Sequence, residues 1–234
     1  MEIKPIATIY TDFPEKFGIP RQAGIVPELT ARIVLKPEYS QPEAVKGLEG
    51  FDYIWVIWDF SLAHSERFAA SVCPPRLGGK ETAGVFASRS PFRPNSLGLS
   101  SLRLLSVEHT EMGTELLVSG ADMVSGTPVY DIKPYITFED SHPEAKSGYV
   151  DTVQWEELTV LDPMGLIAGS DLSEKQKTAL RKILGQDPRS RFDLISDGTR
   201  RYGFYFSHYD VRFTVRGREL SVVELAEGKK PCEP

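Results

Sequence analysis

Residues 84–107 read Gly84-Val-Phe-Ala-Ser-Arg-Ser-Pro-Phe-Arg-Pro-Asn-Ser-Leu-Gly-Leu-Ser-Ser-Leu-Arg-Leu-Leu-Ser-Val107. A short apolar strand signal over 84–87 passes through a polar loop into a long strand signal over 97–107, with no helix between them. Pro91 and Pro94 preset φ and remove two backbone donors, so the loop holds Arg89 and Arg93 in a restricted geometry. Stiff arginine loops suit an anion or a nucleotide, whereas a merely solubilising surface loop has no need of this rigidity.

The same strand-and-turn pattern extends outward on both sides. Residues 6–10, 31–35, 53–60 and 115–119 are short, β-rich and bounded by Gly, Pro or charged turns, and one helical turn is expected near 43–48, ended by Gly47 and Gly50. Many strands at turn-sized spacing, without alternating strands and helices, predict a mainly β fold with an N-terminal β-barrel rather than a doubly wound parallel sheet. Neither a Gly-x-Gly-x-x-Gly fingerprint nor a phosphate loop is present.

After about residue 150 the pattern changes. Residues 172–185 carry a capping box, Ser173 with Gln176, an apolar face of Leu180, Ile183 and Leu184, and Gly185 placed to end the helix in a left-handed turn. Two alternating strands follow, Tyr202, Phe204, Phe206 and His208 sharing one face and Val211, Phe213 and Val215 another, with a third strand near 221–225. The division expected is a barrel over residues 1–151 and a small α+β domain over 152–234, with the aromatic residues as its core rather than a platform for bases.

The 234 residues are 41% apolar and 26% charged, in the range of globular proteins, and the most apolar run is too short to cross a bilayer. The beginning of the chain lacks a signal-peptide pattern, which predicts a cytoplasmic protein without a membrane partner. Cys73 and Cys232 give no disulfide framework, and the four histidines show no metal-ligand spacing, so no metal is expected. A net charge of −6 argues against a protein that coats nucleic acid over its whole surface. Locally, Arg76, Lys80, Arg89, Arg93 and Arg103 face only Glu81 within residues 76–103. Residues 175–201 hold Lys175, Lys177, Arg181, Lys182, Arg189, Arg191, Arg200 and Arg201 against Asp187, Asp193 and Asp197. Two basic zones on an acidic chain suggest a confined footprint for a polyanion; solvated charge is the alternative for the second.

Three further segments are polar and rigid. Residues 16–24 include Pro20-Arg-Gln-Ala-Gly24, with side chains suited to phosphate, carboxylate or base edges. Residues 74–79 read Pro-Pro-Arg-Leu-Gly-Gly. In residues 122–135, Ser125-Gly-Thr-Pro128 forms a turn able to offer backbone amides, and Asp131, Lys133 and Tyr135 alternate on one strand face. Acid, amine and phenol make a proton-handling set; a salt-bridged strand at a sheet surface uses the same residues.

Together, Pro20-Arg-Gln, Pro74-Pro-Arg-Leu-Gly-Gly79, Gly84-Val-Phe-Ala-Ser-Arg-Ser with Phe92-Arg-Pro-Asn95, and Gly126-Thr-Pro with Asp131-Ile-Lys-Pro-Tyr135 resemble the TsaA-like, or TrmO, family. These are S-adenosylmethionine-dependent methyltransferases acting on a modified adenosine in tRNA, and the resemblance covers nearly the whole chain. It implies a β-barrel catalytic domain working as a homodimer, with S-adenosylmethionine near the subunit boundary. The implied reaction is N6-methylation of N6-threonylcarbamoyladenosine at tRNA position 37 in certain threonine tRNAs. Carried over by motif, the cofactor contacts are Gln22, Ala23, Gly24, Ser61, Leu62, Arg89, Ser125, Gly126, Thr127 and Pro128. The family pattern has a His-Gln pair where this chain has Ser61-Leu62, so a backbone contact survives there and a side-chain contact does not.

The proposed nucleophile is a delocalised nitrogen between an adenine ring and a ureido carbonyl, so a base is useful. Asp131 is the first candidate to accept its proton, with Lys133 or Tyr135 stabilising charge on the ureido oxygen. Arg76, Lys80, Arg93, Lys175 and Arg181 are expected to hold the tRNA anticodon stem-loop. A noncatalytic adaptor binding tRNA or a nucleotide through the same loops is the alternative, and a methyltransferase of small molecules a third reading.

Overall fold

Alternation along six strands decides which side chains fill the first core. The computed structural model describes residues 2–64, 68–74, 81–111, 113–152, 156–190 and 196–233. Strands β1 (Ala7–Tyr10), β2 (Thr30–Leu35), β3 (Tyr53–Asp59), β6 (Leu97–Thr110), β7 (Gly113–Ser119) and β8 (Thr127–Pro134) close a barrel in the order β1-β2-β7-β6-β3-β8. Every neighbouring pair is antiparallel. Ile9, Ile33, Ile54, Val56, Leu102, Leu116, Val118 and Val129 point inward and are buried, so each loses its apolar surface to a shared interior worth about 1.5–3 kcal/mol per side chain.

Antiparallel closure sorts the connections between two ends of the barrel. The β1–β2 connection (residues 11–29), the β3–β6 connection (60–96) and the β7–β8 connection (120–126) all leave the same rim. The turn of α1 (Pro42–Val45), falling where a helical turn is expected, and the tight β6–β7 hairpin occupy the opposite end. Within the long β3–β6 connection, strand pairing stops early. Among the described residues of this connection, β4 (Ser71–Val72) and β5 (Ala83–Gly84) are the strands that pair, and the strand expected over 84–87 is instead a 3-10 turn, Val85–Ala87. Val85 is buried and its carbonyl accepts from Ser88 Oγ at 2.8 Å, a local bond that competes with a ladder.

Beyond the barrel come the single turn α2 (Thr137–Asp140), helix α3 (Glu174–Gly185) and a second sheet in the order β10-β11-β12-β9. Its strands are β9 (Thr159–Leu161), β10 (Tyr202–Phe206), β11 (Tyr209–Arg216) and β12 (Glu219–Glu227), with β9 parallel to β12. The capping box is formed as read: Ser173 Oγ accepts from the Gln176 amide and the Gln176 side chain accepts from the Ser173 amide. Two local expectations are corrected. Gly185 is the last helical residue, and the left-handed residue is Asp187, with φ of 52°. His208 leaves the aromatic face because Ser207 and His208 form the β10–β11 turn, with Ser207 at φ of 53°.

Phe204, Phe206 and Phe213 are buried with Leu180, Ile183 and Leu184 of α3, so these aromatics are core. The same core takes in Phe13, Val26 and Leu29 from the β1–β2 connection of the barrel. Gly18, at φ of 87°, passes so near the Phe204 ring that a Cβ there would lie 2.3 Å from it. Two hydrophilic ties reinforce this docking: Gln176 Nε2 donates to Asp12 Oδ1 at 2.8 Å, and Lys182 pairs with Glu28.

Candidate active site at the barrel rim

The rim gathers side chains far apart in sequence. Arg89, in the β3–β6 connection, donates to Gln22 Oε1 in the β1–β2 connection. Gln22 Nε2 donates to the Arg21 carbonyl at 2.6 Å, which orients the amide. Two residues on, the Gly24 amide donates to the Gly120 carbonyl at 2.9 Å. Gly120, at φ of 78°, lies so close that a Cβ would sit 2.9 Å from Gly24 Cα, so the first and third connections meet backbone to backbone.

Beside this junction lies a half-buried acid that sequence reading left without a role. Asp122 Oδ1 accepts from Ser100 Oγ at 2.7 Å, and Ser100 Oγ accepts from Trp58 Nε1 at 3.0 Å. Burial pushes the Asp122 carboxyl above its ordinary range, while Ser100, the Ala23 amide and the Arg89 charge pull it back. Asp122 is thus tied to the rim-side ends of β3 and β6 and faces two of the segments predicted to hold the cofactor. Its only sequence signal was its place at the start of residues 122–135.

The third predicted segment reaches the rim differently than expected. The Ser125 amide donates to the Phe13 carbonyl and the Gly126 amide to the Ile9 carbonyl, each at 2.8 Å. The Thr127 amide turns back on Val124 at 3.3 Å, and Pro128 has none. The expectation that this turn offers free amides is therefore corrected: backbone closure of the barrel uses them. Ser125 Oγ donates to the Cys232 carbonyl at 2.6 Å and accepts from the Thr11 amide at 3.1 Å, so the end of the chain lies on this turn. Ser61 and Leu62 follow β3 on the same rim, in a turn closed by the Ala63 amide on the Phe60 carbonyl at 2.8 Å, and both are exposed.

Asp131, Lys133 and Tyr135 do share one face, and a β-bulge selects it. Pairing runs Ile57 with Asp131 but Trp58 with Val129, so Tyr130 is an extra residue. Val129 and Ile132 consequently face the core while Asp131 and Lys133 face outward. Lys133 Nζ lies 2.8 Å from Asp131 Oδ2, with both side chains substantially exposed. The Tyr135 ring packs on Trp55, centroids 5.7 Å apart. At about 3.3 Å per residue, Tyr135, just past the end of β8, lies roughly 26 Å from Thr127, so it stands far from the rim that carries Gln22 and Arg89.

Of the predicted nucleic-acid contacts, Arg76 and Lys80 lie outside the described residues. Arg93 Nη1 donates to the Ser88 carbonyl at 3.1 Å on the rim loop. Lys175 and Arg181 stand on the exposed face of α3, Arg181 3.9 Å from Asp162. Arg189, counted among the basic residues, is buried and bonded to Asp187 at 2.7 Å, so it holds the turn after α3. Among the described residues, no group of three or more His, Cys, Asp or Glu side chains is placed to hold a metal, and no helix is long and apolar enough to cross a membrane.

Comparison with known proteins agrees with this architecture. The family profile described as tRNA-methyltransferase O N-terminal domain matches residues 8–141, and that described as TrmO C-terminal domain matches residues 167–228. The tRNA (adenine(37)-N6)-methyltransferase of Escherichia coli K12 is 33% identical over 228 residues, covering 96% of this chain and 97% of that one. A Pseudomonas aeruginosa relative named "Putative S-adenosylmethionine-dependent methyltransferase RcsF" is 36% identical over 233 residues, covering 97% of this chain and 98% of that one. A crystal structure of TrmO from P. aeruginosa superposes with a TM-score of 0.74 at 30% identity, covering 97% of each chain. With both profiles matched in order and the barrel reproduced, this chain belongs to the TrmO family.

Proposed function

We propose that this protein is an S-adenosylmethionine-dependent tRNA methyltransferase that methylates N6 of N6-threonylcarbamoyladenosine at position 37 of threonine tRNA. The observation that carries this reading is the meeting of Gln22, Arg89 and Asp122 at one rim. The set fits the cofactor's chemistry: a guanidinium suits its carboxylate, a side-chain amide its polar edges, and a half-buried carboxylate its cationic portion. Bound there, the cofactor supplies an activated methyl group. Gln22, Ala23 and Gly24 hold it from one side and Arg89 from another; Ser61, Leu62 and the turn 125–128 complete the wall through carbonyls and surface contact.

A homodimer completes the site. The outward side of β6 presents Leu97, Leu99 and Leu105, with Ser101 and Arg103 between them and Tyr53 of β3 alongside, so large apolar side chains stand on a face open to water. Asp131 and Lys133 lie on that same outer wall, so a second copy seated there brings its rim to them. In the assembled site Asp131 accepts the proton that N6 gives up, and Lys133 or Tyr135 stabilises charge on the ureido oxygen. Arg93, Lys175 and Arg181 hold the anticodon stem-loop. Leu99→Glu is expected to convert the dimer to a monomer in sedimentation velocity while leaving the melting temperature of the barrel nearly unchanged; a retained dimer rejects this face.

The direct test is incubation of purified protein, S-adenosylmethionine and tRNA bearing threonylcarbamoyladenosine, followed by mass spectrometry of the nucleosides. The expected product is heavier by one methyl group. An unmodified nucleoside together with no calorimetric binding of the cofactor favours a noncatalytic adaptor.

A further inference from the structure

The rim loop exposes aromatic rings that neither the cofactor contacts nor the proton-handling set uses. Phe86 is 73% exposed and Phe68 59%, with ring centroids 6.4 Å apart and planes 30° from parallel. The Arg93 guanidinium lies 6.0 Å from the centroid of Phe86, and Phe92 is also exposed. These rings stand out because their neighbours are pinned. Val85, one residue before Phe86, is buried, and its amide donates to the Ala70 carbonyl at 3.0 Å. Three linked serine bonds then fix the path: Ser88 Oγ to the Val85 carbonyl at 2.8 Å, the Ser90 amide to Ser88 Oγ at 3.3 Å, and the Phe92 amide to Ser90 Oγ at 3.3 Å. Arg93 closes the loop through the Ser88 and Ser90 carbonyls. A collapsed loop would bury Phe86; this one is braced so that its face stays in water.

We propose that Phe86, flanked by Phe68 and capped by Arg93, is a stacking platform for an unpaired base of the tRNA anticodon loop. The inference rests on the reading of the protein as a tRNA methyltransferase and assigns its substrate loop a seat. Unpaired RNA bases are recognised by stacking on aromatic rings and guanidinium planes, which accept any base face. Charge selects the same occupant. Arg93 caps the platform, so a polyanion is attracted where an apolar segment of another protein would leave that cation unmatched. A pre-braced ring also loses little freedom when a base settles on it. Arg89, three residues from Phe86, bonds to Gln22, which sets the platform at the edge of the cofactor site.

The experiment uses the full chain and a synthetic anticodon stem-loop RNA. Phe86→Ala is expected to raise the RNA dissociation constant about 10-fold, equal to about 1.4 kcal/mol. The slope of log affinity against log salt stays the same, because stacking neutralises no phosphate. Phe86→Trp restores affinity, whereas Arg93→Ala weakens binding and lowers the salt slope by about 1. Three results overturn the platform: unchanged RNA affinity in Phe86→Ala, a weakened S-adenosylmethionine affinity that puts the ring against the cofactor's adenine, or a loss of self-association that puts it under a second copy. If the unaltered protein binds no stem-loop RNA and methylates no tRNA, the underlying reading fails. If it does both and Phe86→Ala matches it, only the platform fails.

Discussion

Arg89→Ala is expected to weaken S-adenosylmethionine binding roughly 10- to 150-fold, the loss of one charge-assisted hydrogen bond worth about 1.5–3 kcal/mol. Arg89 is exposed and its side chain bonds Gln22 on a neighbouring loop rather than any core group, so the protein still folds without it. Isothermal titration calorimetry reads the affinity, and an unchanged constant rejects the assignment. Arg89→Lys retains the charge without the planar fork and recovers only part of the loss. A second effect follows from Asp122, whose carboxyl is already raised by burial and is held down in part by Arg89. Removing the guanidinium raises it further. A carboxyl raised in the folded state contributes stability fully below its ordinary value of 3.8, and that contribution is lost as pH rises through the raised value. The Arg89→Ala protein therefore melts like the unaltered one at acid pH and falls below it once Asp122 ionises. Parallel melting curves across the pH range would contradict the coupling.

Asp131→Asn is expected to lower turnover by roughly 100-fold or more, in the range of a lost general base, with cofactor affinity unchanged. The substitution suits its purpose because the oxygen that accepts from the Ile132 amide at 3.0 Å is kept and only the charge is lost. The ion pair with Lys133 is exposed at both ends, and such pairs contribute about 0–1 kcal/mol, so folding survives. Single-turnover methyl transfer with saturating cofactor separates chemistry from binding. Full activity there removes Asp131 as the base and leaves the pair as a surface salt bridge.

The outward placement of Asp131 shows where sequence reading stops. Alternation at period 2 places Asp131, Lys133 and Tyr135 together, and they are together. Which face they take depends on the bulge at Tyr130, one extra residue that turns them outward. Without it the same alternation that buries Val129 would aim Asp131 into the barrel. The 3-10 turn Val85–Ala87 shows the same limit. Its residues have strand propensity, but Ser88 gives Val85 a local partner and no neighbouring strand continues past Gly84.

By itself the sequence determined the class of fold, the capping box and apolar face of α3, the aromatic core of the second sheet, the stiffness of the arginine loop and, through long motifs, the family. All of these are written in contacts between residues near one another along the chain, where propensity and periodicity act. The tertiary structure decided the rest. Ring closure put three connections on one rim and joined Gln22 to Arg89 across 67 positions. The second core drew in Phe13, Val26 and Leu29, fastening the β1–β2 connection to the C-terminal sheet. Asp122 acquired its role only when burial raised the energy of its charge and Ser100 and Arg89 arrived to offset it. Strand register, burial and charge pairing are properties of residues that meet in space, and their sequence separation carries no signal of the meeting.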